Sequence, residues 1–176
     1  MTSGSPGTIW VFDSSPLIHL DQLGYLAHLP ALIGRALVPP AVHAELSQGR
    51  GRPGTNAPDQ PWLEVRAPHP ERIAAVQSDF AAGAGETEAL ALALELGGRL
   101  VIDERRARRY ASQKGLIHAG VLAILSAIHA RGLAARSPAE DLELLETSGM
   151  YLSGALKADL LAQLSAKEDN DAPGWV

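Results

Sequence analysis

The sequence predicts a three-layer α/β/α fold with a mostly parallel central sheet of about four or five strands. Short apolar runs alternate along the chain with longer segments of helical spacing, an order typical of a parallel sheet covered by helices. Two of these runs end directly in acidic residues, at Asp13 and at the pair Asp103-Glu104. The carboxyl ends of parallel strands meet at one edge of the sheet, where such folds form their functional crevice.

The first part of the chain contains two predicted strands, each followed by a helix. Ile9–Phe12 is an apolar run suited to a strand that is buried on both faces. The Ser-Ser-Pro sequence at 14–16 supplies a hydroxyl cap and a proline near the first helical position, and apolar residues continue at helical spacing to Leu26. Residues 35–38 form a second strand, stopped by two prolines, and residues 41–46 form the next helix.

The middle of the chain is predicted to begin with a surface loop. Residues 47–61 are rich in glycine, proline and polar side chains, and residues 62–65 alternate weakly, which suits an extra edge strand. Two helices follow at 71–80 and 86–96, separated by the sequence Gly83-Ala84-Gly85. The second is apolar around its circumference, so we expect it to be packed on nearly all sides until a glycine pair ends it.

The last part of the chain supplies two more strands and the remaining helices. Leu100–Ile102 is the third core strand, and Leu116-Ile117 is a candidate fourth strand. Between them lies a basic helix at 105–114. Further amphipathic helices are predicted at 120–131, 139–147 and 151–165, the last of them capped by Ser153.

Length and composition limit the class of protein. The chain of 176 residues suits one domain, at 8–166, with flexible termini at 1–7 and 167–176. It has no cysteine, which excludes disulfides, thiolate zinc sites and cysteine nucleophiles and fits a cytoplasmic protein. No apolar run approaches the roughly 20 residues that span a membrane. A net charge of −5 argues against coating nucleic acid by bulk electrostatics, but not against a local basic track.

Acidic residues that are distant in sequence are predicted to converge at the sheet edge. Mg²⁺ and Mn²⁺ prefer hard oxygen ligands, and nucleases use such ions to ionise the attacking water and to neutralise charge on the phosphate. Asp13 taken alone could be no more than a helix N-cap after a buried strand. The candidate ligands are Asp13, Glu45, Glu86 or Glu88, and Asp103 or Glu104.

Four segments, in order, resemble motifs of the PIN-domain family and of its prokaryotic VapC-like branch. Val11–Ile18 is similar to the opening of these domains. Val38–Leu46 is similar to their second motif, in which a glutamate lies in a short helix after a strand and a proline. Gly85–Ala93 and Leu100–Arg108 resemble the later motifs of a mainly prokaryotic PIN subfamily. The ordered set of four extends over nearly the whole chain and is more specific than any single motif.

The resemblance implies a Mg²⁺- or Mn²⁺-dependent endoribonuclease, often the toxin of a toxin–antitoxin pair. It implies that Asp13 and Glu45 are the first two metal ligands, with Ser14 and Ser15 as supporting hydroxyls and Ser15 steadying a water on the metal. It also implies an RNA substrate, a small antitoxin protein and a homodimer as partners. The choice of RNA over DNA comes from the resemblance, because nothing in the residues themselves indicates recognition of a ribose 2′-hydroxyl.

The third ligand position is open between Glu86 and Glu88. Two residues apart on a helix correspond to about 200° of rotation, so both carboxylates cannot point the same way. If Gly85 is the cap, Glu88 is at the third helical position, where it can reach back to the cap amide. Glu86 would then be free to point into the pocket, and we favour it.

The fourth ligand position is open between Asp103 and Glu104. We prefer Asp103, which leaves the strand end directly. Ile102 departs from the commoner PIN pattern, which has a hydroxyl residue shortly before the aspartate. That departure motivates an alternative, a PIN-like module with little or no turnover that binds RNA or a protein partner.

A basic segment follows the last acidic pair of the site. A run of this kind on a helix is by default a solvated surface. Its place directly after Asp103-Glu104 makes it a candidate track for RNA phosphates. The candidate RNA-binding residues are Arg105, Arg106, Arg108 and Arg109.

Overall fold

A computed structural model of the chain describes residues 7–167, with side chains described as far as residue 164. The strands are β1 (Trp10–Phe12), β2 (Ala36–Val38), β3 (Leu63–Val65), β4 (Arg99–Val101) and β5 (His118–Ala119). The helices are α1 (Ser14–Gln22), α2 (Leu29–Ile33), α3 (Pro40–Gln48), α4 (Pro70–Asp79), α5 (Ala84–Leu96), α6 (Arg105–Gln113), α7 (Val121–Ala130), α8 (Pro138–Thr147) and α9 (Gly154–Lys167).

The five strands form one parallel sheet in the order β3-β2-β1-β4-β5, and this confirms the predicted three-layer α/β fold. The central strand β1 is completely buried, with Val11 paired to Leu37 on one side and to Leu100 on the other. Helix α5 packs against both β1 and β4, and its middle turns are buried on all sides, as its apolar circumference predicts.

The carboxyl edge of this sheet collects helix N-termini. Helices α1, α3, α6 and α7 each begin directly after a strand, so each starts at that edge. Helix α5 runs back towards the start of β4, and its N-terminus therefore lies at the same edge. Backbone N–H groups at helix starts have no partner within the helix and carry partial positive charge. The edge thus offers hydrogen-bond donors to the acidic residues that lie there.

Two predicted boundaries in the first and last parts of the chain are wrong. Helix α1 ends at Gln22, short of Leu26, because Gly24 adopts a left-handed conformation with φ of 77° that a helix cannot continue through. The last strand is His118–Ala119, two residues beyond the predicted Leu116-Ile117. Leu116 is buried, but Ile117 is 63% exposed, so the apolar pair precedes the edge strand.

Other predicted elements agree closely with the structure. Segment 62–65 supplies an edge strand, and the side-chain hydroxyl of Ser153 accepts a hydrogen bond from the Leu156 N–H at the start of α9. No helix within the described residues 7–167 is long and apolar enough to cross a membrane. Apart from Gly7 and Lys167, the predicted flexible termini at 1–7 and 167–176 lie outside the described residues.

A buried polar network joins α7 and α8 to the turn after α1. Asp141 is fully buried in α8 and accepts hydrogen bonds from Tyr25 Oη, at 2.7 Å, and from Arg136 Nε, at 2.7 Å. His129 Nε2 on α7 lies 2.8 Å from the same carboxylate. Arg136 also donates to the carbonyl of Leu23. One carboxylate thereby fixes the position of α1, whose N-terminus carries the acidic edge.

We expect Asp141→Asn to lower the free energy of unfolding by about 3 kcal/mol, because it leaves the Arg136 guanidinium without its buried counter-charge. Glu143→Gln is the matched control, since Glu143 is exposed on the same helix, and it should change stability by less than about 0.5 kcal/mol. Denaturant unfolding measures both. Equal effects of the two substitutions would contradict this role for Asp141.

Candidate active site

A cavity of about 500 Å³ opens at the carboxyl edge of the sheet. It lies where β1 and β4 end and where α1, α5, α6 and α7 begin. Four of the predicted acidic residues share it with a hydroxyl and a guanidinium. These lining residues are Asp13, Glu86, Asp103, Glu104, Ser15 and Arg108.

Asp13 is the most deeply placed carboxylate of the described part of this edge, with only 5% of the residue exposed. Its N–H donates to the Val101 carbonyl at 3.0 Å, so the backbone is still paired with β4 where the side chain enters the cavity. It occupies the N-cap position of α1, yet its side chain makes no cap hydrogen bond. Capping alone therefore does not account for a carboxylate buried here.

The surroundings of Asp13 favour its neutral form. The pKa of Asp13 is raised from 3.8 to about 7, chiefly by burial and also by the charges of Glu86, Glu45 and Asp103, which together outweigh the lowering effect of the Ser14 N–H. The side chain thus keeps a proton up to about neutral pH unless a positive charge replaces it.

Glu45 lies on the exposed side of the cluster and is held by α1. Ser14 Oγ donates to Glu45 Oε2 at 2.8 Å. A Cβ atom at Gly85 would lie 2.5 Å from Glu45 Oε1, so the carboxylate packs directly against the glycine backbone of α5. Ser14 and Gly85 together fix Glu45 at the junction of α1, α3 and α5.

The structure places Glu86 and Glu88 in different environments. Helix α5 starts at Ala84 with Gly83 as its N-cap, so the capping argument built on Gly85 is wrong. The Gly83 N–H lowers the pKa of Glu86, but burial and then the Glu104 charge raise it more, and the net pKa is raised. Glu88 instead accepts a hydrogen bond from the Ala41 N–H at 2.9 Å, at the start of α3. Glu86 lines the cavity, and Glu88 stabilises a neighbouring helix start.

Asp103 and Glu104 also take different partners. Glu104 is the N-cap of α6, and its carboxylate accepts from the Ala107 N–H at 2.6 Å. Asp103 Oδ1 accepts from the Val121 N–H at 2.7 Å, whereas Asp103 Oδ2 is buried with no hydrogen-bond partner. Burial raises the pKa of Asp103, and the Val121 N–H opposes that effect. A buried carboxylate oxygen without a donor is costly, and a cation can satisfy it.

This donor set fits a divalent cation in chemistry, since it consists of carboxylate oxygens with a nearby hydroxyl. Within the described residues, however, no group of three or more His, Asp or Glu side chains is arranged so that it could hold a metal as it stands. Carboxylates that repel one another separate when no cation lies between them. Closing a coordination shell therefore requires side-chain movement.

The four candidate arginines divide into two pairs. Arg108 lines the main cavity, and Arg106 lines an adjoining cavity of about 480 Å³. The two cavities share Glu86 and Glu104, so they form one continuous groove. Arg105 and Arg109 are exposed and line neither cavity.

Two glycines contribute to the site in a way that sequence reasoning missed. Gly85 makes room for the Glu45 carboxylate, and a Cβ at Gly120 would lie 2.9 Å from Asp103 Oδ1. Neither glycine needs a left-handed backbone, so space is the reason for both. A signal existed in each case, since each glycine stands next to a predicted acidic or helix-start position.

Comparison with known proteins identifies the family. A PIN-domain family model matches residues 9–166. No curated protein is detectably similar to the chain. A solved PilT N-terminus domain protein from the hyperthermophilic archaeon Sulfolobus solfataricus P2 is similar over 83% of this chain and 98% of its own, with 13% identity and a TM-score of 0.42. The family model extends over nearly the whole described chain and over every element of the acidic edge, and the chain belongs to the PIN-domain family.

Proposed function

We propose that this PIN domain is a divalent-metal-dependent endoribonuclease whose metal ligands are Asp13, Glu45, Glu86 and Asp103. PIN domains are typically nucleases and typically use divalent metal ions. The observation that carries the proposal is Asp13, a buried carboxylate that makes no cap bond and opens into a cavity with three other acidic candidates. No purely structural role accounts for that placement.

Different residues of the cavity would hold the cation and bind the phosphate. Asp13 and Asp103 leave β1 and β4, two adjacent strands; Asp13 makes no cap bond, and one buried oxygen of Asp103 has no hydrogen-bond donor. Ser14 orients Glu45 from the exposed side, and Ser15 lines the cavity beside Asp13. When bound, Mg²⁺ or Mn²⁺ would supply Lewis-acid stabilisation of the charge that develops on the phosphate.

Two arginines lie where they would contact the substrate backbone. Arg108 and Arg106 border the two halves of the groove, and Arg106 is held over the Phe80 ring with its guanidinium carbon 5.5 Å from the ring centroid. A guanidinium held over a ring is partly preorganised for a phosphate. We propose Arg106 and Arg108 as phosphate-binding residues and assign Arg105 and Arg109 at most a long-range attraction of RNA.

The choice of RNA and the biological setting follow from the sequence motifs. On that basis we propose a cytoplasmic toxin of a toxin–antitoxin pair, with a small antitoxin and a second copy of the chain as protein partners. These parts of the proposal rest on the resemblance to VapC-like PIN domains.

One observation favours a second candidate, a PIN module that binds RNA or protein without turnover. The described side chains form no ready-made coordination shell. Titration with Mn²⁺ separates the candidates. A folded domain that binds no Mn²⁺ at neutral pH would favour the module without turnover, because the proposed catalysis requires a metal ion on the buried acids.

Asp13→Asn tests the proposed mechanism directly. The substitution keeps the shape of the side chain but removes the negative charge, so we expect Mn²⁺ affinity to fall and RNA cleavage to drop at least about 100-fold. Asp159→Asn, on the exposed surface of α9, is the matched control and should cleave like the unaltered chain. Cleavage of a labelled RNA with Mg²⁺ or Mn²⁺ measures both, and undiminished cleavage by Asp13→Asn would refute the mechanism.

The raised pKa of Asp13 also predicts a stability difference in chelator-treated protein. As pH rises from 3.8 to about 7, the unfolded chain ionises Asp13 while the folded chain keeps the proton, so the free energy of unfolding falls across this window. We therefore expect Asp13→Asn to be more stable than the unaltered chain at neutral pH, by on the order of 2–4 kcal/mol.

That difference should disappear below pH 3.8, where Asp13 is protonated in both states. Urea unfolding at acidic and neutral pH checks it. A difference that does not change with pH would show that Asp13 titrates normally.

Gly85→Ala separates site geometry from stability. Its Cβ would displace the flexible end of Glu45, so we expect cleavage to fall about tenfold or more through a misplaced ligand. Stability should be unchanged or slightly higher, because alanine favours a helix over glycine by about 1 kcal/mol. Gly154→Ala, at the start of α9, is the control, because nothing lies within 4 Å of its Cβ and Gly154 lines neither cavity of the groove. Cleavage rates and melting temperatures of both variants provide the test, and equal cleavage would contradict the role of Glu45.

A further inference from the structure

Tyr151 is the most exposed large hydrophobic side chain among the described residues, at 89%. It lies in the connection between α8 and α9 and borders the same cavity as Asp13 and Asp103. An aromatic ring left in water beside a charged pocket contributes nothing to the core. Its position therefore points to a ligand.

The backbone around Tyr151 is anchored, so the outward direction of the ring is imposed by its neighbours. Met150 packs against the core, and its N–H donates to the Leu145 carbonyl at 3.0 Å. Leu152 is 7% exposed and belongs to the core, and Ser153 caps α9. With Met150 and Leu152 directed inward, the residue between them is presented to the cavity mouth.

The cavity combines two kinds of surface. Its lining includes the carboxylates and Arg108 together with apolar side chains of α7, α9 and the connection before α9, among them Leu122 and Leu156. A volume of about 500 Å³ lies in the range of small-ligand sites. A nucleotide has complementary parts, a phosphate for the Arg108 guanidinium and a flat apolar base for the ring.

The other end of the groove does not offer a free ring. Phe80 is stacked on Tyr110, with ring centroids 5.1 Å apart and an angle of 22° between planes, and Arg106 lies over it. Of the other exposed large hydrophobic residues in the described chain, only Leu156 lines the cavity. Exposed apolar side chains at the cavity are therefore limited to Tyr151 and Leu156, which is a small surface for an amphipathic protein helix and favours a stacked base.

We propose that Tyr151 is a base-stacking platform for single-stranded RNA, and that it binds the base of a nucleotide whose phosphate binds Arg108 beside the carboxylates. This inference rests on the proposed function and adds a substrate subsite to it. Unpaired bases splayed out of a strand commonly stack on exposed aromatic rings. The platform makes the site selective for unpaired RNA, since a base inside a duplex cannot reach the ring.

Equilibrium binding of an end-labelled, unstructured oligoribonucleotide tests the inference in the Asp13→Asn background, where cleavage is expected to be lost. Tyr151→Ala should weaken binding about tenfold, the effect of losing one stacked base, and Tyr151→Phe should stay within about twofold. Ile117→Ala is the control, because Ile117 is 63% exposed at the opposite end of β5, and it should not change binding.

A single abasic nucleotide moved along the oligonucleotide distinguishes stacking from a general structural effect. At one position it should weaken binding to the Tyr151 protein about tenfold and have little effect on Tyr151→Ala, because each change removes the same contact. In the chain with Asp13 restored, Tyr151→Ala should raise KM for single-stranded RNA with kcat nearly unchanged.

The outcomes separate this inference from the proposed function. If the unaltered chain binds and cleaves RNA but Tyr151→Ala binds it as tightly as Ile117→Ala does, the stacking subsite is wrong, the nuclease proposal stands and a protein partner becomes the occupant to test. If the effect of the abasic nucleotide is the same with and without the ring, the subsite is also wrong. If the unaltered chain neither binds nor cleaves RNA with Mg²⁺ or Mn²⁺, both proposals fail.

Discussion

Mutual repulsion among acidic side chains at one edge of the sheet is the constraint on which the arrangement of this protein depends. Asp13 is buried, and the charges of Glu86, Glu45 and Asp103 act on it together. Like charges in a poorly solvated place raise one another's pKa and destabilise the folded chain. A fold that keeps such a cluster needs compensation around it, and the neighbouring helices supply it.

Most of that compensation comes from helix N-termini. Asp103 accepts from the first N–H of α7, Glu104 caps α6, and Glu88 accepts from the start of α3. Each bond satisfies a backbone donor that would otherwise lack a partner, and the partial positive charge there offsets the carboxylate. Asp13 interacts with the Ser14 N–H at the start of α1 but makes no cap bond further into the helix. Glu88 and Glu104 thus serve helix starts, whereas Asp103 keeps one buried oxygen without a donor and can still accept a cation.

The sequence was informative about architecture because apolar runs and helix-start residues depend on local chemistry. The end of β1 at Asp13, the apolar α5 and the Ser153 cap are all settled by neighbouring residues. The partners that each acidic side chain contacts were harder to predict. The argument that separated Glu86 from Glu88 assumed Gly85 as the N-cap of α5, whereas the N-cap is Gly83 and Gly85 packs against Glu45, a contact between residues distant in sequence. The end of α1 and the register of β5 likewise depended on a single glycine conformation and on pairing with β4.

The pairing of β1 with β4 has a consequence for how the molecule is made. Val11 pairs with Leu100, so the central strands of the sheet come from opposite halves of the chain, and Asp103 gains its backbone donor only when Val121 is in place. Contacts between residues so distant in sequence form late, because the entropy cost of closing a long loop comes before the contacts can stabilise the fold. During synthesis, the cavity is therefore incomplete until the ribosome has released most of the chain.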